Sequence, residues 1–145
     1  MTLTDELMAQ MGRMMSPGSN IELPPKVFVD MEGEFVDYQE GQMLTVRFPV
    51  KTRYQNPMGH MQGGVIVAAI DNTLGPLSFL VAPPSVTTQL NTSYIRPVTA
   101  QDEYIIITGR VLERTRSQLF MMAEVTNAVG KLVAVSYATC SILGQ

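Results

Sequence analysis

The chain has 145 residues, the usual size of one domain, and its 46% hydrophobic content is enough to build a core of its own. A formal net charge of -3 excludes the concentrated basic surface that nucleic-acid binding requires. One cysteine, Cys140, excludes an internal disulfide. With only His60 beside it, it also leaves no Cys/His metal site at ordinary ligand spacing, so a metal-independent protein without a cofactor is expected.

The first residues, Met1 to Glu6, lack the basic start and apolar run of a signal peptide. No stretch reaches the roughly 18–20 uninterrupted apolar residues of a membrane span. A soluble, cytoplasmic protein with no membrane partner is expected. Residues 2–15 then read as a short amphipathic helix. Thr2 and Asp5 have the spacing of a capping pair, and Leu7, Met8, Met11, Met14 and Met15 recur at helical steps. That methionine stripe reads first as a flexible packing face and second as a ligand-contacting one. Ser16-Pro-Gly-Ser-Asn ends the helix, and Pro24-Pro25 marks the way into the sheet, dividing a helix-and-linker segment (1–25) from the main domain (26–145).

Gly33–Tyr38 and Met43–Val50 read as a hairpin about a Glu40-Gly41 turn. A polar loop runs from Lys51 to Met61. From Gly63 the period changes: Ile66, Ile70, Leu74, Leu77 and Val81 form one helical stripe, widened by Val65, Ala68 and Ala69. Such a helix is buried on more than one side. Pro76 removes the bond to the Asn72 carbonyl and is expected to kink it. Val86–Ile95, Tyr104–Leu112, Leu119–Thr126 and Leu132–Ile142 are four strand segments, most simply joined as antiparallel neighbours. One nearly all-apolar helix beside one antiparallel sheet predicts an α+β fold with the sheet wrapped around the helix.

The chemistry lies in Asn56-Pro-Met-Gly-His-Met-Gln-Gly-Gly-Val-Ile-Val-Ala-Ala-Ile-Asp71. Two glycines lead into a buried helix, whose first N–H groups and dipole favour partial negative charge. A thioester carbonyl under attack needs such donors. Asp71 is the only acidic or basic side chain between Met61 and Ile95. Local pattern alone favours a solvent-facing acid, and a carboxylate beside an apolar cleft, acting as base or nucleophile, is the functional alternative. Asp71 stands about 12 Å along the helix from its N-terminus at 1.5 Å per residue. It cannot reach a carbonyl held there, and that spacing favours a site shared across a dimer interface.

The arrangement Asn56–x2–Gly59–x2–Gln62-Gly63-Gly64–x6–Asp71 resembles the hotdog-fold acyl-CoA thioesterases of the phenylacetate-degradation (PaaI-type) group. The resemblance extends through Asn91-Thr-Ser-Tyr-Ile-Arg-Pro97 and covers about residues 27–143. It implies a hotdog fold, an acyl-CoA substrate, and a homodimer or a dimer-of-dimers tetramer. By position, Gly63 is expected to donate its N–H to the thioester carbonyl and Asn56 to hold or polarise that group. Asp71 of the neighbouring subunit attacks or activates water, with Thr87 orienting it; for Asn56 a loop cap and for Thr87 an ordinary strand position remain open. Gly64, Arg116 and Ser117 are the expected substrate contacts, with Arg114, Arg96, Arg53 and Lys51 as weaker phosphate partners. Leu74, Phe79 and the methionines are candidates for an acyl pocket. Gln62 stands where the family has histidine; it hydrogen-bonds but does not titrate near neutrality, which places it in a supporting role. His60, two residues earlier, is out of register with that position and reads as a surface residue. A non-catalytic acyl-CoA-binding module is the first alternative, and a hydratase or dehydratase built on His60 the second.

Overall fold

The computed structural model describes residues 1–144. Helix α1 (Leu3–Met14) starts where Thr2 and Asp5 exchange bonds: Thr2 Oγ1 accepts from the Asp5 amide and Asp5 Oδ2 from the Thr2 amide, each at 3.1 Å. Leu7, Met8 and Met11 are buried in the common core. Thr4 Oγ1 accepts from the Phe35 amide at 2.8 Å and ties the helix to the first strand.

A second helix, α2 (Lys26–Asp30), stands where the sequence reading has only an approach to the sheet. It is a single turn, too short for periodicity to reveal. Its exposed valines, Val27 and Val29, flanking buried Phe28 mimic strand alternation. Phe28 packs edge-on against Phe35 and Phe48, with ring centroids 5.2 and 6.0 Å away.

The strands are β1 (Glu34–Gln39), β2 (Met43–Pro49), β3 (Ser85–Tyr94), β4 (Tyr104–Arg114), β5 (Gln118–Asn127) and β6 (Leu132–Ile142). They form one antiparallel sheet in the order β1-β2-β4-β5-β6-β3. The expectation that all four later strands are successive neighbours is thus corrected. β3 pairs with β6, not β4, and forms the far edge. The reason is the helix between β2 and β3. Helix α3 (Gly63–Val81) spans the sheet from the β2 side and delivers the chain to the opposite edge. The segment after Tyr94 then returns past the start of α3, where the Met61 amide donates to the Val98 carbonyl at 2.9 Å, before β4 pairs with β2.

α3 touches β2, β3, β4, β5 and β6, so the sheet curves around it. Ile66, Ile70, Leu74 and Leu77 meet Val46, Ile107, Leu119 and Met121 in one core, each such side chain contributing about 1.5–3 kcal/mol by burial. Gly109 of β4 is where helix and sheet come closest: a Cβ there would lie 2.8 Å from Leu74 Cδ2. Asn72 and Thr73 are satisfied locally, donating to the Ala68 and Ala69 carbonyls at 2.8 and 3.0 Å. The helix continues through Pro76, with Ser78 Oγ donating to the Gly75 carbonyl at 2.6 Å. By length and composition alone α3 could cross a bilayer, but half of that window is buried inside the fold.

Candidate active site

Between β2 and α3 the chain makes a 3₁₀ turn (Thr52–Tyr54) and a tight loop. Asn56 organises this loop. Its Oδ1 accepts from the Met58 and His60 amides at 2.9 and 3.1 Å, and its carbonyl accepts from the Gly59 amide at 2.9 Å. Gly59 has φ +77°, which explains the glycine of the motif. The loop-capping role of Asn56 is therefore present in the structure. Its side-chain nitrogen, Nδ2, makes no hydrogen bond to any described residue and is free to donate elsewhere, whereas its backbone amide is taken by the His60 carbonyl at 2.6 Å.

Gln62 caps α3 through its backbone, its carbonyl accepting from the Val65 amide at 2.9 Å. Its side chain makes no cap bond and is exposed. The amides of Gly63 and Gly64, in the first helical turn, have no acceptor among the described residues. Gly63 stands at a cleft of about 350 Å³ that is also bordered by Asn56, His60, Tyr94 and Arg96. The Tyr94 hydroxyl donates to the Gly63 carbonyl at 2.8 Å. Tyr94 is exposed overall, but partial desolvation pushes its phenol pKa up.

Asp71 is elsewhere. It is exposed, makes no hydrogen bond or ion pair with any described residue, and borders a separate apolar pocket of about 110 Å³ with Met8, Met11, Gly75, Pro76 and Phe79. Its eight-residue displacement from Gly63 is about 12 Å along α3. Leu74, expected in an acyl pocket, faces the sheet and is core.

Thr87, Arg116 and Ser117 gather at the end of the sheet remote from Gly63. Thr87 pairs with Cys140, and Cys140 with Leu119, so Thr87 and the β4–β5 turn lie at the same end of the sheet with β6 between them. Thr87 is exposed on the edge strand, with Oγ1 3.8 Å from Cys140 Sγ. Arg116 is exposed and unpaired among the described residues, and the Ser117 carbonyl accepts from the Ile142 amide at 2.8 Å. The other cations are engaged. Lys51 pairs with Glu32 at 2.6 Å, Arg53 approaches Asp30 at 3.8 Å, Arg96 donates to the Leu132 carbonyl and Arg114 to that of Val81.

One chain thus gathers the candidate residues in two separate groups. Asn56, Gln62, Gly63 and Gly64 meet at one end of α3; Thr87, Arg116 and Ser117 meet at the other end of the sheet; Asp71 lies between. Sequence reasoning missed Tyr94 and took His60 for a surface residue. His60 is half-buried, borders the cleft and bridges to Thr99. The signal for Tyr94 lay in Asn91-Thr-Ser-Tyr-Ile-Arg-Pro97, but nothing in the linear order says that this strand end returns to the glycine pair.

A curved antiparallel sheet enclosing one long helix, with a glycine pair at the helix start, defines the hotdog class. The model of the thioesterase superfamily matches residues 58–134, just over half of the chain, and the protein belongs to that family. Among solved structures it is similar to the E. coli PaaI protein of the phenylacetic acid degradation operon (TM-score 0.80, 16% identity, 96% of this chain and 95% of that one). It is also similar to a thioesterase-named, phenylacetic acid degradation-related protein of Ralstonia eutropha (0.77, 26%, 91% and 98%). A third is a Streptococcus mutans protein bound to acetyl-CoA (0.74, 22%, 90% and 98%).

Proposed function

We propose that the protein hydrolyses acyl-CoA thioesters to free acid and CoA in a site shared by two subunits. The observation that carries this reading is the unpaired Gly63 amide at a cleft in a thioesterase-superfamily fold. The thioester carbonyl accepts from the Gly63 N–H, and charge developing on its oxygen is stabilised by that donor and the helix dipole. Asn56 supplies a further donor through its free side-chain amide, and Gln62 supports the loop without titrating. Asp71 of the partner subunit takes a proton from the water that attacks the carbonyl carbon, or attacks that carbon itself to form an acyl-aspartyl anhydride that water then hydrolyses; in both routes the C–S bond breaks, and the leaving CoA thiolate takes up a proton from the attacking water or from solvent. Acetyl-CoA in the Streptococcus mutans relative supports a CoA ligand of this kind.

The dimer is supported by β3. It is a ten-residue edge strand without a charged residue or proline; seven of its residues are exposed and none is buried. Natural edges of that length are normally blunted or covered. Antiparallel pairing of two β3 strands about a two-fold axis would lay the Thr87 end of one against the Tyr94 end of the other. Thr87, Arg116 and Ser117 of one subunit would then complete the Gly63 half-site of its partner.

The test is thiol release from short, medium, long and aromatic acyl-CoAs by wild type and Asp71→Ala. Turnover by the wild type that falls by orders of magnitude in the folded variant supports the reading. Stabilisation by acyl-CoA without thiol release would replace it with a binding module. Loss of crotonyl-CoA absorbance without thiol release would replace it with a hydratase using His60.

A further inference from the structure

We infer that the seam between α1 and α3 is the acyl-binding channel, and that Phe79 stops it so that short acyl groups are selected. This rests on the reading of Asp71 as the catalytic carboxylate. Asp71, Gly75 and Phe79 follow one another at four-residue steps on one face of α3, about 6 Å apart along its axis. The 110 Å³ pocket starts at Asp71 and is walled by Met8 and Met11 of α1. Phe79 borders it as well, and the same residue borders a second apolar pocket of about 420 Å³ walled by Met14, Met15 and Leu80. The methionines of α1 therefore follow one seam on both sides of a single half-buried aromatic ring. At roughly 30 Å³ per water-sized group, the first pocket holds roughly four heavy atoms, less than the benzene that a dry cavity of about 150 Å³ accommodates. A butyryl-sized chain fits; a longer one meets Phe79. Methionine side chains adapt to such contents without losing core contact.

Gly75 makes the inference testable without removing core atoms. It borders the pocket, and a Cβ added to it meets nothing within 4 Å. Gly75→Met fills the pocket from an open position and replaces a poor helix former with a good one. Phe79→Ala joins the two pockets. Two readouts apply to wild type and both variants: kcat/KM for acetyl-, butyryl- and octanoyl-CoA, and calorimetric binding of the S-ethyl, S-butyl and S-octyl CoA thioethers. Phe79→Ala is expected to raise the octanoyl-to-butyryl ratio about tenfold or more, and Gly75→Met to lower the butyryl-to-acetyl ratio by a similar factor. Thioether affinities are expected to move in the same order. Ratios and affinities that stay at wild-type values in both variants overturn the channel and leave the thioesterase intact. Absence of turnover with thioether affinities that shift as expected overturns the thioesterase and leaves an acyl channel in place. Should Phe79→Ala fail to fold, Gly75→Met decides alone.

Discussion

The Tyr94 hydroxyl donates a 2.8 Å hydrogen bond to the Gly63 carbonyl, and a Cβ on Gly63 would lie 3.0 Å from the same ring. The last residue of β3 thereby holds one face of the peptide group whose other end is the free Gly64 amide. A carbonyl that accepts a hydrogen bond also polarises its own peptide N–H, here that of Gly64, and the contact fixes the orientation of the turn that presents the Gly63 N–H to the cleft. Tyr94→Phe keeps the ring and removes only the bond, worth about 0.5–1.5 kcal/mol. Steady-state assays are expected to show kcat lower by about two- to twelvefold, the kinetic equivalent of that range. KM and melting temperature should change little. A KM rise with constant kcat would instead make Tyr94 a binding contact.

Asp71 makes no bond to any described residue, so Asp71→Asn is expected to leave stability within about 0.5 kcal/mol of wild type while abolishing most turnover. The shared site adds a sharper expectation. Gly63→Val crowds Tyr94 and should silence the other half-site. Co-refolding the two inactive variants should restore about a quarter of wild-type turnover, because half of the dimers are mixed and each mixed dimer holds one intact site. No recovery on mixing would place Asp71 and Gly63 of the same chain in one site.

Much of this was legible in the residues. The Thr2–Asp5 capping box, the β1–β2 hairpin and the apolar stripe of α3 are local patterns, and local patterns fix local structure. α2 escaped because one helical turn carries no periodicity, and the place of β3 at the far edge escaped because strand order is a long-range choice. For the site, spacing alone showed that Gly63 and Asp71 are too far apart for one chain to join. It could not show that Thr87, Arg116 and Ser117 share one end of the sheet, since that depends on the β3–β6 and β5–β6 registers.

The uncharged edge of β3 predicts its own disruption. Gln89→Lys with Asn91→Lys puts two exposed charges where two copies would pair, the device natural edges use to stay apart. Sedimentation should show a monomer with native circular dichroism and little thiol release. A monomer of full activity would show that each chain works alone.

Gly109 tests how closely α3 must sit on the sheet. Gly109→Ala sets a methyl group 2.8 Å from Leu74 Cδ2, with Thr73 and Leu77 within 3.5 Å. Leu74 is buried and has no free direction to move. Overpacking of this kind costs about 1–3 kcal/mol, read as a lower urea midpoint with an unchanged slope. The helix start would shift with it, so turnover should fall although Gly109 touches no substrate.

Among the candidate phosphate contacts Arg116 has no partner in the described residues, whereas Lys51, Arg53, Arg96 and Arg114 each hold another part of the chain in place. The phosphates of CoA need such a charge at the rim, remote from the breaking bond. Arg116→Ala should therefore raise KM by about three- to tenfold, a contribution reduced by solvent exposure, and leave kcat alone. Added salt should raise the wild-type KM toward that of the variant, because exposed charge pairs are screened within about 10 Å at 0.1 M. A KM that is indifferent to both the substitution and the salt would remove Arg116 from the substrate contacts, and the phosphates would then have to be held by backbone amides such as those of the β4–β5 turn itself.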